Sequence, residues 1–408
     1  MAKDCDVLIV GGGLNGPVLA LALAAGGLTS VVLDARSRDE VAAPAFDGRA
    51  YALALGSRML LSALGLWAGL AARAQPIAEI KISDGRPGEG AGPLFLHFHG
   101  QEIDEGPMGH ILEDRWLRGA LLAAMDAAPG IQHLPSNRVV GQAVVRGGVE
   151  VTLADGHRLG GTLLVACDGR DSAVARRAGI RRRGWEYRQT SLVAAVAHAR
   201  PHGGIAHQFF MPSGPLAILP LPGDRSSIVW TETAERAAAI AALDDAGYLA
   251  VLRPRFGDFL GPIELVGDRY GYPLGLSLAE SCTAERVALA GDAAHGIHPL
   301  AGQGLNLGLR DVATLAEVLL AAARRGEDIG TADVLSRYAR WRRFDIAALA
   351  AATDGLNRLF SNDNPFLRLG RDLGLGLVDR LPALRRALIG EAAGLAGDLP
   401  ALLRGRLP

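Results

Sequence analysis

Three separated stretches of this chain carry residue types that could hold a phosphorylated or hydroxyl-bearing ligand. The first is Gly11-Gly12-Gly13-Leu14-Asn15-Gly16, directly after the apolar run at residues 7–10. It fits GxGxxG at a strand-to-helix turn, where bare backbone N–H groups and the helix dipole can receive a pyrophosphate. Asp34 ends the next apolar run, about 20 residues on, at the spacing of a carboxylate that accepts the hydroxyl hydrogens of an adenosine ribose. A carboxylate there repels a 2′-phosphate. The same glycines would also serve a packing turn with Asp34 on the surface. The second stretch, residues 287–306, is an apolar run ending in Gly291-Asp292, then Ala293-Ala294-His295, then His298-Pro299-Leu300-Ala301-Gly302-Gln303-Gly304-Leu305-Asn306. A buried strand ending in Gly-Asp lets backbone approach a ligand while the carboxylate accepts hydroxyl hydrogens. Gly302 and Gly304 then open a helix whose first N–H groups are free. The third is Asp168-Gly169-Arg170-Asp171-Ser172, which also reads as a plain turn.

The elements that must position these residues follow from periodicity. Residues 7–10, 11–16, 18–25 and 31–33 read strand, glycine turn, helix, strand, which is one βαβ unit. Residues 58–70 and 112–125 are helical, 77–83 alternates like a strand, and 85–93 is a Gly/Pro-rich loop. Residues 139–145, 149–153 and 163–167 are strands with a turn at Asp155-Gly156. Between 192 and 231, four short strands are separated by Pro and Gly instead of helices, which predicts an antiparallel second layer. Helix returns over 234–256, a buried strand over 287–290, and a long Leu/Ala helix from Gly304. The expected fold class is α/β (α+β), with residues 1–76, 108–180 and 280–330 forming a discontinuous nucleotide-binding domain. Residues 77–107 and 181–279 would form the second lobe, and 331–408 a helical C-terminal region.

Composition narrows the function. With 408 residues, 49% hydrophobic and 21% charged, the chain can bury a large core in two lobes. A net charge of -1 gives no field to attract nucleic acid. Cys5, Cys167 and Cys282 lie far apart without CxxC spacing, so neither a disulfide framework nor a metal site is expected. The first apolar run is only strand-long, and no later one reaches the roughly 18 residues of a membrane span. A cytoplasmic protein is expected, at most peripheral to the inner face of a membrane. HExxH and GxSxG are missing, so metal hydrolysis and serine chemistry have nothing to stand on.

With these motifs in hand, the chain resembles the class A flavoprotein aromatic hydroxylases. Segments 46–58, 185–189, 214–221, 227–230 and 360–363, in order along nearly the whole chain, narrow the likeness to ubiquinone-biosynthesis hydroxylases of the UbiH/UbiF/VisC type. The resemblance implies a tightly bound, non-covalent FAD. It assigns Gly11, Gly13, Leu14, Asn15, Gly16 and Asp34 to the adenosine and pyrophosphate. Asp292 would take the ribityl chain, and Pro299, Gly302, Gln303, Gly304, Leu305 and Asn306 the flavin edge. Asp168 and Gly169 match the family's DG motif, although Ala175 stands where that motif has an arginine, with Arg176 and Arg177 next. In the DxR segment, Arg49 would face the flavin or pyrophosphate; on its own chemistry it could equally pair Asp47.

The implied reaction is that of the family: NAD(P)H binds transiently and reduces FAD, O2 adds to the flavin as a hydroperoxide, and one oxygen passes to an activated phenol. The implied substrate is a polyprenylated phenol of ubiquinone synthesis. Other ubiquinone-biosynthesis proteins are implied partners. His295 and His298 could relay the phenolic proton, or could simply shape the loop. Residues 365–408 mix Leu, Ile and Val with seven arginines, a composition suited to an anionic surface, a partner, or a helical cap on the protein's own core. Two other readings of the same scaffold are a flavin reductase of isoprenoid double bonds and a non-catalytic flavin-bearing component of a biosynthetic complex.

Overall fold

The computed structural model describes residues 3–43, 45–88, 90–102, 106–361 and 381–408. Its first sheet is built on the βαβ unit. Five strands run parallel in the spatial order Ile131–Leu134, Ser30–Leu33, Cys5–Val10, Arg158–Ala166, Val287–Leu289. Both faces of such a sheet are covered, so its strands are continuously apolar: Val7, Leu8 and Ile9 are fully buried, as are Leu163, Leu164 and Val165. Helices Asn15–Ala25, Asp114–Ala127 and Gln303–Arg324 pack on one face, in a core shared with Leu19, Leu121 and Leu315. Strands Val139–Val145 and Gly148–Leu153 fold back antiparallel beside the other face, where Val149 and Val151 join Leu8 and Leu164.

The second sheet has eight strands in the order 295–296, 263–279, 182–198, 225–233, 214–221, 205–211, 79–86, 90–99. It is antiparallel except where Ile205–Met211 runs alongside Glu79–Arg86. Helices Ala234–Ala241 and Asp245–Phe256 cover its outer face around Trp230 and Tyr248. A three-stranded sheet of Ala50–Ala54, Gly109–Glu113 and Gln75–Pro76 is interleaved in sequence with strands of the two large ones. After the long helix Gln303–Arg324 come the helix Ala332–Phe360 and, closer to the end, Pro382–Ala392.

Several expectations need correction. The helix expected over 234–256 is two helices, because Asp244 accepts a hydrogen bond from Gly247 N and caps a new start. The Gly/Pro-rich loop at 85–93 is largely strand, in a hairpin of Glu79–Arg86 with Gly90–His99. The short strand expected at 192–197 is the end of a 17-residue strand, Arg182–His198, paired with another of equal length, Ile263–Ala279. Polar, exposed residues along both hid them: neither strand has the alternation of a half-buried surface until it reaches the core. A bulge between Glu186 and Gln189 bends the pair, with Arg188 at φ 55°. Segment 360–363 and the arginines Arg368, Arg371 and Arg380 fall wholly or partly outside the described residues.

Candidate active site

The parallel register brings the motifs to one edge. Val10 pairs with Leu33 and with Ala166, and Ala166 pairs with Leu289, so four strands end together. Gly11, Asp34, Cys167-Asp168 and Gly291-Asp292 are the residues that follow those ends. This is the carboxyl edge, where ligands of open parallel sheets bind. The glycines sort into two kinds. A Cβ on Gly11, itself at φ 113°, would lie 2.2 Å from Cys167 O; one on Gly12 would meet the Asp34 carboxylate at 2.5 Å; one on Gly16 would meet Gly11 O at 2.0 Å. These three are demanded by the close approach of chain to chain. Gly13 faces open space within 4 Å, so packing does not require its missing side chain. That opening sits at the start of helix Asn15–Ala25, where a pyrophosphate would approach the free N–H groups.

Asp34 is buried, and accepts from Arg36 N at 3.0 Å through one oxygen. Asn15 reaches across to the distant motif: Cβ atoms placed on Gly291 and Gly308 would come within 2.1 and 2.6 Å of its Nδ2. Its Oδ1 is buried without a hydrogen-bond partner among the described residues, as are Asp168 Oδ1 and Arg58 Nε. Buried polar atoms are normally satisfied, so such orphans at a ligand edge fit a polar group not present here.

The Gly-Asp turn is held from behind. Gly291, at φ 63°, donates its N–H to Asp311 Oδ2 at 2.9 Å. The same oxygen takes His295 Nε2 at 2.5 Å, and Oδ1 takes Arg342 Nε at 2.7 Å. All three side chains are buried. Burial alone would raise the Asp311 carboxyl, but His295 and Arg342 outweigh it and hold it below the usual carboxylate range. Asp292 itself is exposed, pointing away from this network, while Arg182 donates to its backbone carbonyl. An exposed carboxylate on a rigidly held turn suits a ligand hydroxyl.

After Pro299, half-buried, Gly302 adopts φ 64° and starts the 22-residue helix. A Cβ on Gly304 would meet nothing within 4 Å, so packing does not require its missing side chain. Asn306 is already committed to protein: Oδ1 accepts from Ala54 N and Ser57 Oγ, and Nδ2 donates to Ala52 O. It fixes strand Ala50–Ala54 against the helix and has little left for a ligand. Leu305 packs on the core, and Gln303 Nε2 points to Ala392 O. Leu14 is buried beside Val18 and Leu19.

Asp168 Oδ2 caps the short helix at Val174 N, and Gly169 sits at φ 84°. Ala175, at the expected arginine position, is buried; Arg176 donates to Asp171 O and Arg177 to Gln142. Arg49 does pair Asp47, with Nε 2.7 Å from Oδ2, and lies 3.6 Å from Asp114. The two histidines differ sharply. His295 is tied to Asp311, a loop-shaping role. His298 is fully buried, both ring nitrogens lack a partner among the described residues, and Tyr187 meets it edge-on at 5.3 Å. Burial pushes its pKa down to about 4. Sequence reasoning missed Asp311, Arg342 and Arg182. Asp311 had a signal: a carboxylate within the Leu/Ala helix on its buried face, which also carries Leu307, Thr314 and Leu315.

These residues fit a flavin dinucleotide: a glycine opening at a helix start, a buried carboxylate at the end of the next strand, a second carboxylate on a braced turn, and a second helix entered through left-handed Gly302. Comparison with known proteins agrees. The FAD binding domain family matches residues 4–353. Ubiquinone hydroxylase UbiL of Rhodospirillum rubrum is 45% identical over 406 residues, covering 99% of this chain and 93% of that protein. The 3-demethoxyubiquinol 3-hydroxylase of Escherichia coli is 32% identical, covering 96% and 99%. In fold, p-nitrophenol 4-monooxygenase PnpA of Pseudomonas putida DLL-E4 aligns with a TM-score of 0.80 at 22% identity, covering 97% of this chain and 99% of that one. The chain belongs to the family of FAD-dependent monooxygenases that includes the ubiquinone-biosynthesis hydroxylases.

Proposed function

We propose that this protein hydroxylates the aromatic ring of a polyprenylated phenol in ubiquinone biosynthesis, using FAD, NAD(P)H and O2. The observation that carries the reading is the meeting of the glycine turn at 11–16, Asp34 and Gly291-Asp292 along one edge of the parallel sheet, in a chain whose relatives are ubiquinone hydroxylases over nearly their whole length. Bound FAD supplies the electron transfer and the activation of oxygen. The chain's own residues bind, orient and keep dry.

In this reading the free N–H groups of helix Asn15–Ala25 take the pyrophosphate, Asp34 the adenosine ribose, and Asp292 the ribityl hydroxyls. Gly302 and Gly304 present the start of the long helix to the pyrimidine edge, where a positive helix end favours negative charge on the ring. Asp168 and Gly169 follow the end of strand Arg158–Ala166 at the sheet edge, and we assign Arg49, already partly neutralised by Asp47, to the flavin or pyrophosphate. The domain division follows: residues 1–76, 108–180 and 280–330 hold the cofactor, and 77–107 with 181–279 cover the substrate. His298 takes the proton-relay role instead of His295, because its nitrogens are unpartnered and its imidazole is neutral at pH 7.

A prenyl tail needs apolar surface, and the described C-terminal helices carry exposed apolar side chains at Phe344, Leu356, Leu359, Leu384 and Leu388. We assign that surface to contact with a membrane face or a partner protein. No helix among the described residues is long and apolar enough to cross a membrane. The test is complementation of strains lacking each ring hydroxylase, with accumulated quinone intermediates identified by mass spectrometry. Rescue of one strain fixes the ring position; rescue of none removes the assignment.

A further inference from the structure

The outer face of the second sheet carries a cluster that the flavin reading does not use. Strands Glu79–Arg86 and Gly90–His99 form the sheet's last hairpin, with Glu79 opposite His99 and Lys81 opposite His97. Pleating sends alternate residues to opposite faces. Ile80, Ile82, Leu96 and Phe98 go inward, to the apolar cluster around Ile77, Met108 and Ile111. Glu79, Lys81, His97 and His99 go the other way, so the backbone of the sheet separates them from that interior.

Their geometry is specific. One ligand atom from each of Glu79, His97 and His99 lies within 4.8 Å of the others. His97 Nε2 is 2.8 Å from Glu79 Oε2, and His99 Nδ1 is 3.9 Å from Glu79 Oε1, so each carboxylate oxygen faces a different imidazole. The two rings lie 3.8 Å apart between centroids. Two imidazoles and a carboxylate are the donor set of zinc and its neighbours, and metal–ligand bonds of about 2.0–2.2 Å put donor atoms roughly 3.3 Å apart, so the His97–Glu79 contact opens slightly and the wider separations close.

We propose that Glu79, His97 and His99 hold one divalent transition-metal ion of the zinc type, with water completing the coordination, and that the ion clips the two edge strands together. Lys81 is the natural competitor. Its Nζ lies 3.4 Å from Glu79 Oε2, and an arriving cation displaces it. His207, aligned with Lys81 on the neighbouring strand, is held neutral by burial and by the Lys81 charge, and adds no positive charge of its own.

The experiment uses tag-free, FAD-loaded full-length protein, stripped with chelator and titrated calorimetrically with zinc sulfate. One ion per chain binds with a micromolar or tighter Kd, and His97→Ala, His99→Ala and Glu79→Gln each weaken it at least about tenfold. Lys81→Met tightens binding, since the carboxylate loses its rival. Zinc also raises the unfolding temperature of the wild type and not of His97→Ala. Flavin content and NAD(P)H oxidation stay unchanged in all four variants, which shows that they fold. No stoichiometric binding, equal affinity in the histidine variants, or weaker binding by Lys81→Met overturns the proposal. Because flavin content is read separately, a failed metal site leaves the flavin reading untouched.

Discussion

At Asp311, one buried carboxylate serves three donors: the Gly291 amide, His295 and Arg342. Gly291 precedes Asp292, so the network decides where the Asp292 carboxylate stands. Removing the charge takes from buried Arg342 one of its two carboxylate partners, Asp345 being the other, at a cost of up to about 3–5 kcal/mol. Asp311→Asn therefore lowers the denaturation midpoint and releases flavin during purification. Asp292→Ala, by contrast, touches nothing buried: it loses its yellow colour while keeping the wild-type unfolding midpoint of the apoprotein. Paired flavin absorbance and urea titrations check both, and full flavin retention in Asp292→Ala counts against its ribityl role. His298→Ala predicts a third pattern, with flavin bound and reduced normally but substrate turnover down by about 100-fold or more. Stopped-flow reduction beside product assays separates the steps; unimpaired turnover would return His298 to a loop-shaping role.

Elements explain what the sequence could and could not reveal. The fingerprint helix, the buried strand at 287–289 and the long helix after Gly302 were legible because each has one strong period and a glycine at the point of close approach. Asp34 and Asp292 were legible as carboxylates ending apolar strands. The paired long strands at 182–198 and 263–279 were not, since most of their length is exposed and polar and only pairing makes them strands. Asn306 was read as a ligand residue because it stands in the glycine loop; three-dimensional contact with Ala52, Ala54 and Ser57 makes it a brace. Asn15 gives the element-scale prediction. Gly308→Ala places a methyl 2.6 Å from its Nδ2 and forces helices 15–25 and 303–324 apart. That variant loses flavin, and Asn15→Ser in the same chain restores part of it. Absence of any rescue, read by flavin content, would mean that the two helices are not coupled through Asn15.

For the whole molecule, buried neutral histidines link stability to pH, His298 and His110 beside the His207 already described. His298 and His110 both have pKa values pushed down to about 4 by burial, against about 6.5 when unfolded. The unfolded chain therefore binds more protons than the folded one between those values. Stability is fully present above about pH 6.5 and falls as pH drops toward 4, at roughly 1.4 kcal/mol per pH unit for each histidine. Urea titrations from pH 7.5 to 4.5 check the slope, which His110→Gln should lessen; a flat profile contradicts the buried, neutral state of both rings.

The central claim is that this fold brings dioxygen to a phenolic ring and leaves one oxygen atom there. Mass spectrometry of the product formed under 18O2, with NAD(P)H and a prenylated phenol, tests it directly. One 18O atom in the new hydroxyl is the predicted result. A product that has gained hydrogen at its prenyl chain with no label, or substrate recovered unchanged while the flavin cycles, would contradict it.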